Sequence, residues 1–147
     1  DLVIAQSAVR QDGTSLKYAP IEYPATADFN VTLALKKAAE SLKFSYHIGV
    51  VQAKDSFYGQ HSPQSMPTSH KLLTQWEAYK KLGVLASEME SAVAAVRRIR
   101  AGAVFATLWN QEREAAGLDQ DENFDTTSAI RCAVEAVKIL IAQDKSR

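Results

Sequence analysis

Apolar positions along this chain switch repeatedly between two patterns, short continuous runs and a spacing of three to four residues. Residues 1–9 carry the run Leu2, Val3, Ile4 and lead into Arg10, Gln11, Asp12 and Gly13, which predicts a buried strand closed by a turn. Pro20 and Pro24 forbid a long helix over residues 15–27 and predict an ordered surface excursion. Asp28 is placed to cap a helix whose apolar positions are Val31, Leu35, Ala38, Ala39 and Leu42. Residues 46–53, with Ile48, Val50 and Val51, predict a strand that delivers a loop from Lys54 to Gln60. Beyond Pro63 and Pro67, Ser69 is positioned to cap a helix containing Leu72, Leu73, Trp76 and Tyr79, closed by Gly83. Val84 and Leu85 start a short strand, a helix follows over residues 91–98, and residues 101–108 predict another strand. A last helix begins near Asp125 and Thr126, with Ile130, Ala133, Val134, Val137, Leu140 and Ile141 as its apolar stripe.

This alternation predicts a single α/β domain over residues 1–147, with a mainly parallel or mixed central sheet flanked by helices. Ligands of such sheets gather where strands end and loops begin. The candidate sites therefore follow Ala53, Leu85 and Leu108, with the three loops expected at the same sheet edge.

Composition narrows the classes. Hydrophobic residues make up 46% and charged residues 23%, the balance of a water-soluble globular chain rather than a disordered one. Seventeen basic residues match seventeen acidic ones, so no net field draws the chain to nucleic acid or to an anionic membrane. The single Cys132 excludes an internal disulfide and a multi-cysteine zinc site, fits a reducing cytoplasm, and is expected to serve packing. No run approaches the roughly 18 apolar residues of a membrane span, and no basic stretch followed by an apolar core opens the chain. It opens instead on Asp1 leading directly into strand, from which a missing N-terminal part is expected. His47, His61 and His70 lack metal-ligand spacing, Ser56 and Ser91 lack a nucleophile elbow, and no glycine-rich phosphate loop is present.

Three loops carry chemistry. Glu88 and Glu90 straddle Met89 at a strand–helix junction; in extended geometry the two acids share a face, which a helix starting at Glu90 would spoil, and a carboxylate can accept both vicinal hydroxyls of a ribose while methionine packs on the sugar. A helix N-terminus that favours acids explains the same residues. Phe57 and Gln60 offer an aromatic surface and an amide with one donor and one acceptor, the complement of a uracil edge. A strand-ending loop with one aromatic and a solvated glutamine is the alternative. After Leu108 and Trp109, the polar segment Asn110, Gln111, Glu112, Arg113 and onward through Gly117 to Asp125 either closes over a ligand or simply connects two elements.

Together, Ser-Ala-Val-Arg and Asp-Gly-Thr-Ser within residues 7–20, Asp-Ser-Phe-Tyr-Gly-Gln at residues 55–60 and Glu-Met-Glu-Ser at residues 88–91 resemble the uridine-cleaving members of the nucleoside phosphorylase family in order and spacing. The resemblance covers essentially the whole chain. It implies pentosyl transfer in pyrimidine salvage: uridine and phosphate give uracil and ribose 1-phosphate, with phosphate as co-substrate and no further cofactor. It also implies a homo-oligomer, usually a hexamer built from dimers. Carried over, Glu90 resembles the carboxylate on the ribose hydroxyls, with Glu88 and Met89 beside it. Gln60 and Phe57 resemble the uracil contacts, with Leu108, Trp109 and Arg113 on the third loop as further base contacts; Glu90 and Gln60 are the expected catalytic pair.

The chain departs from that pattern in three places. Many relatives carry an arginine where this chain has Ser62, and Arg113 is the candidate substitute. The stretch after Glu90 is roughly one helical turn shorter than the resemblance implies. The phosphate-holding loops and an arginine of the family are expected in a segment preceding Asp1. Relatives that cleave purines usually carry aspartate where this chain has Asn110, because a purine leaves more readily when protonated. A purine nucleoside phosphorylase or nucleosidase, and an inactive nucleoside-binding fragment, are the alternatives.

Overall fold

The computed structural model describes residues 1–97, 99–120 and 124–146. Its sheet is built on β1 (Leu2–Gln11), whose Leu2, Val3, Ile4 and Ala5 are all buried. Side chains alternate across a strand, so Leu2 and Ile4 face one way and Val3 and Ala5 the other. Leu2 and Ile4 pack on α1 (Phe29–Ser41) and α6 (Thr127–Lys145), each worth about 1.5–3 kcal/mol of burial. Val3 and Ala5 cluster with Val51, and with Ala86 and Phe105 at their margin. On one side β1 runs parallel to β3 (Tyr46–Lys54), which runs parallel to β4 (Ala86–Glu88). On its other side β1 is shared lengthwise by antiparallel partners, β5 (Ala103–Ala106) along residues 2–5 and β2 (Ala25–Thr26) along residues 7–8. A shift of register between Ala5 and Ser7 separates the two halves. The sheet is thus mixed and flanked by helices, as the alternation predicts.

Local rules account for most elements. Asp28 is extended and its Oδ1 accepts from Val31 N at 3.0 Å, capping α1. α3 (Ser69–Lys81) ends at Gly83, whose φ of +77° is the left-handed conformation that glycine adopts without penalty. Ser69 is the first helical residue rather than the cap. α4 (Ser91–Val96) packs Ala92 and Val96 against Ala25 and Ala53; the expected end at Arg98 lies outside the described residues. Among the described residues no helix is long and apolar enough to cross a membrane.

Two expectations are corrected. Of the expected stripe of α6, Ile130, Val134, Val137 and Ile141 are exposed and only Leu140 among the large residues packs against the core, while Ala129, Cys132 and Ala136 are buried. The reason is steric: α6 meets Ala34 and Ala38 of α1, and small side chains on both let the helices approach closely. Cys132 packs there as expected, with its Sγ 3.5 Å from Leu35 O and its thiol pKa pushed up by burial. Arg10 lies within β1, not after it, and is buried. Its guanidinium donates to Ser15 Oγ, Ser15 O, Ala19 O, Tyr23 O and Pro20 O, pinning the proline-containing excursion over residues 15–23.

Candidate active site

The parallel pair β3–β4 places Gln52 opposite Ser87 and Ala53 opposite Glu88, so both strands deliver their last residues to one edge. After β3 the chain forms α2 (Phe57–His61), a single helical turn where sequence reasoning expects a loop. Ser56 is extended and its Oγ accepts from Gly59 N at 2.9 Å, a local cap that closes the turn. Phe57 is 53% exposed. It stacks on His61 at 4.2 Å between ring centroids and meets Tyr58 edge-on at 5.5 Å, leaving a held but accessible aromatic surface.

At the end of β4, Glu88 is buried. Its Oε2 accepts from Glu90 N and Ser91 N, both at 2.7 Å, and its Oε1 accepts from Ser91 Oγ at 2.6 Å. The expectation that Glu88 shares a ribose-facing side with Glu90 is corrected: α4 begins at Ser91, its first N–H groups need acceptors, and Glu88 supplies them. Met89, at 41% exposure, and Glu90 face solvent at the same junction, with Glu90 Oε2 accepting from Met89 N at 3.0 Å.

A side-chain chain joins the two strand ends. Lys54, buried at the end of β3, donates from Nζ to Ser87 Oγ, and Ser87 Oγ donates to Gln60 Oε1 at 2.6 Å. Gln60 Nε2 lies 3.4 Å from Gln111 Oε1, and Gln111 Nε2 donates to Gln60 O at 3.2 Å. Gln60, Lys54, Gln111, His61, Gln52 and Trp76 line a cavity of about 240 Å³. Burial pushes the Lys54 pKa down, opposed by the charges of Glu88 and Glu90. Desolvation, reinforced by the Lys54 charge and opposed by Glu114, lowers the His61 pKa.

The third loop is placed differently. β5 is antiparallel to β1, so it ends beside Asp1, where Thr107 N donates to Asp1 O at 3.0 Å, at the sheet end opposite the other two loops. Trp109 and Arg113 line a separate cavity of about 480 Å³ together with Asn110, His47 and Leu85. Arg113 gives Nε and Nη2 to Asp119 O at 3.1 and 2.8 Å, and Trp109 Nε1 donates to Glu114 Oε2 at 3.2 Å. Leu108 is half-buried next to them. Asn110 Oδ1 caps α5 (Gln111–Ala115) by accepting from Glu112 N and Arg113 N. The structure therefore brings Phe57, Gln60, Met89 and Glu90 to one edge and leaves Leu108, Trp109 and Arg113 apart from them. Gln111 connects the third loop to Gln60, and residues 121–123 of that loop lie outside the described residues. Sequence reasoning missed Ser87, Gln111 and the role of Lys54. A usable signal was the parity of Gln52 and Lys54, which share a strand face and so present the lysine with its partners at the strand end.

A mixed sheet flanked by helices collects an aromatic–amide turn and an exposed carboxylate at parallel strand ends, the place where α/β sheets gather their ligands. The chain matches the phosphorylase superfamily over residues 1–141 and belongs to that family. It is 53% identical to the uridine phosphorylase of Treponema pallidum, over 99% of this chain and 58% of that protein. It is 40% identical to the uridine phosphorylase of Thermococcus kodakarensis, over 100% of this chain and 53% of that protein. It is 31% identical to the guanosine phosphorylase of Halorubrum lacusprofundi, over 95% of this chain and 58% of that protein. The chain thus spans little more than half the length of these curated relatives.

Proposed function

We propose that this chain holds the nucleoside in the phosphorolysis of uridine to uracil and ribose 1-phosphate. The observation that carries the reading is the 2.6 Å hydrogen bond from Ser87 to Gln60. It ties the strand end bearing Met89 and Glu90 to the turn bearing Phe57 and Gln60, so a sugar reader and a base reader sit side by side. Breaking the glycosidic bond makes the sugar cation-like and the base anion-like. The Glu90 carboxylate suits the first charge, and the Gln60 amide suits the second. Arg10 commits its donors to protein acceptors and is not a phosphate ligand in this reading. The 53% and 40% identities to proteins named uridine phosphorylase support uracil as the base. A dimer-based hexamer acting in the cytoplasm belongs to the same proposal, and light scattering of the purified protein tests the assembly.

The test uses the full-length protein that carries this chain. Uracil release from uridine should require phosphate and yield ribose 1-phosphate in equal amount. Faster cleavage of guanosine or inosine than of uridine overturns the choice of base. Release at the same rate without phosphate assigns a nucleosidase instead, and no release from any nucleoside leaves only a binding role.

A further inference from the structure

We propose that Lys54 is the positioning residue of base recognition: through Ser87 it fixes and polarises the Gln60 amide so that Gln60 N–H meets the uracil oxygen on which negative charge grows. This rests on the uridine reading above and adds to it the source of positive charge for the leaving base.

Proton bookkeeping sets the direction. Lys54 is 7% exposed, so its ammonium must find acceptors inside the protein. An ammonium only donates, so the Ser87 oxygen accepts from Lys54, and the Ser87 proton then points onward to Gln60. Gln60 Oε1 is thereby the inner atom of the amide and Nε2 the outer one. Without the lysine, Ser87 can equally accept from Gln60 Nε2, and the amide loses its preferred orientation. A row of donors that begins at a cation and ends on a carbonyl oxygen polarises the amide and strengthens its N–H as a donor. Among the described residues the outer Nε2 makes a long 3.4 Å contact to Gln111 Oε1, which a carbonyl oxygen of the base can replace.

In the reaction a phosphate oxygen bonds to C1′ as the C1′–N1 bond breaks, and the bonding pair leaves on uracil and spreads over O2 and O4. No proton need move at that step; the uracil anion takes one from water afterwards. Other sources of positive charge are committed elsewhere: Lys80 pairs with Glu77 and Glu112, and Arg113 sits on Asp119 O in the other cavity; the position where the resemblance implies an arginine holds the neutral Ser62. Desolvation and the Lys54 charge lower the His61 pKa and so disfavour its charged form.

The deciding experiment compares Lys54→Met, Lys54→Arg and Ser87→Ala in the full-length enzyme on uridine and on 5-fluorouridine, whose electron-withdrawing fluorine makes the departing anion less dependent on outside charge. Lys54→Met should lower kcat on uridine by about 10- to 100-fold and on 5-fluorouridine by several-fold less. Lys54→Arg should recover most of the loss, and Ser87→Ala should show the same substrate ratio as Lys54→Met. Equal losses on the two substrates, or none, overturn the proposal. The side-chain amide resonances of Gln60 give a readout independent of turnover: they should move in Lys54→Met and Ser87→Ala, and unmoved signals overturn the proposal even if the wild type proves inactive on uridine. Inactivity of the wild type is seen before any variant and counts against the uridine reading. Should Lys54→Met fail to fold, Ser87→Ala carries both measurements.

Discussion

Ser91 gives both its backbone N–H and its hydroxyl to one carboxylate, that of Glu88, at 2.7 and 2.6 Å. With Glu90 N on the same carboxylate, the turn from β4 into α4 is held from within, and Glu90 is presented from a fixed base. Glu88→Ala should cost about 2–3 kcal/mol of stability, because a buried acceptor is lost and its donors are stranded. Glu88→Gln should cost less, since one carbonyl oxygen remains. Urea unfolding of both variants measures this, and a neutral Glu88→Ala would show the capping bonds to be dispensable.

Glu90 lies exposed where Glu88 does not. In the proposed reaction, Glu90→Gln should lose about 2 kcal/mol or more of transition-state stabilisation, because a charged acceptor becomes a neutral one. The loss should be larger on uridine than on 2′-deoxyuridine, which lacks one of the two hydroxyls. Steady-state kinetics on both substrates decide it, and equal losses remove Glu90 from the diol.

Gln60 is half-buried and already engaged through Ser87. Gln60→Ala should weaken uracil binding by about 1–3 kcal/mol while leaving ribose 1-phosphate binding nearly unchanged. Titration calorimetry with each ligand separates the two; unaltered uracil affinity would take Gln60 out of the base site.

Arg10 organises the excursion after β1, so its removal should act on stability and not on phosphate. Arg10→Met takes the guanidinium away from the carbonyls of Ser15, Ala19, Pro20 and Tyr23, of which Ser15 O and Pro20 O keep backbone N–H donors, and should cost about 3 kcal/mol. Arg10→Lys should recover only part, because an ammonium cannot span the same fork of acceptors. Thermal unfolding gives the cost, and a raised KM for phosphate in a folded variant would contradict the structural role.

His61 predicts an acid limb of the stability curve. Its folded-state pKa is lowered, first by desolvation and then by the Lys54 charge, so protons bind more tightly to the unfolded chain. The stabilisation is fully present above the unfolded value of about 6.5 and is lost as pH falls through the folded pKa. Unfolding midpoints of the wild type should therefore drop more steeply than those of His61→Gln between about pH 7 and pH 5. Parallel curves would show that His61 is not the group responsible.

Sequence alone determined the elements whose cause is local. The apolar run of β1, the Asp28 cap of α1, the strand before Lys54 and the stop at Gly83 each follow from neighbours a few residues away. The same holds for the grouping of Phe57 with Gln60 and of Met89 with Glu90, which lie within three residues of each other along the chain. Tertiary structure decided what depends on distant neighbours. Periodicity carries no strand direction, so the antiparallel pairing of β5, which removes Trp109 and Arg113 from the other loops, came only with the sheet. Hydrophobicity favoured the large face of α6, but close approach to the alanines of α1 selected the small one. Which of two acids caps and which faces outward depended on where α4 begins. The Lys54–Ser87–Gln60 chain exists because β3 and β4 pair in parallel with Gln52 opposite Ser87, a register fixed by packing across residues more than thirty apart in sequence.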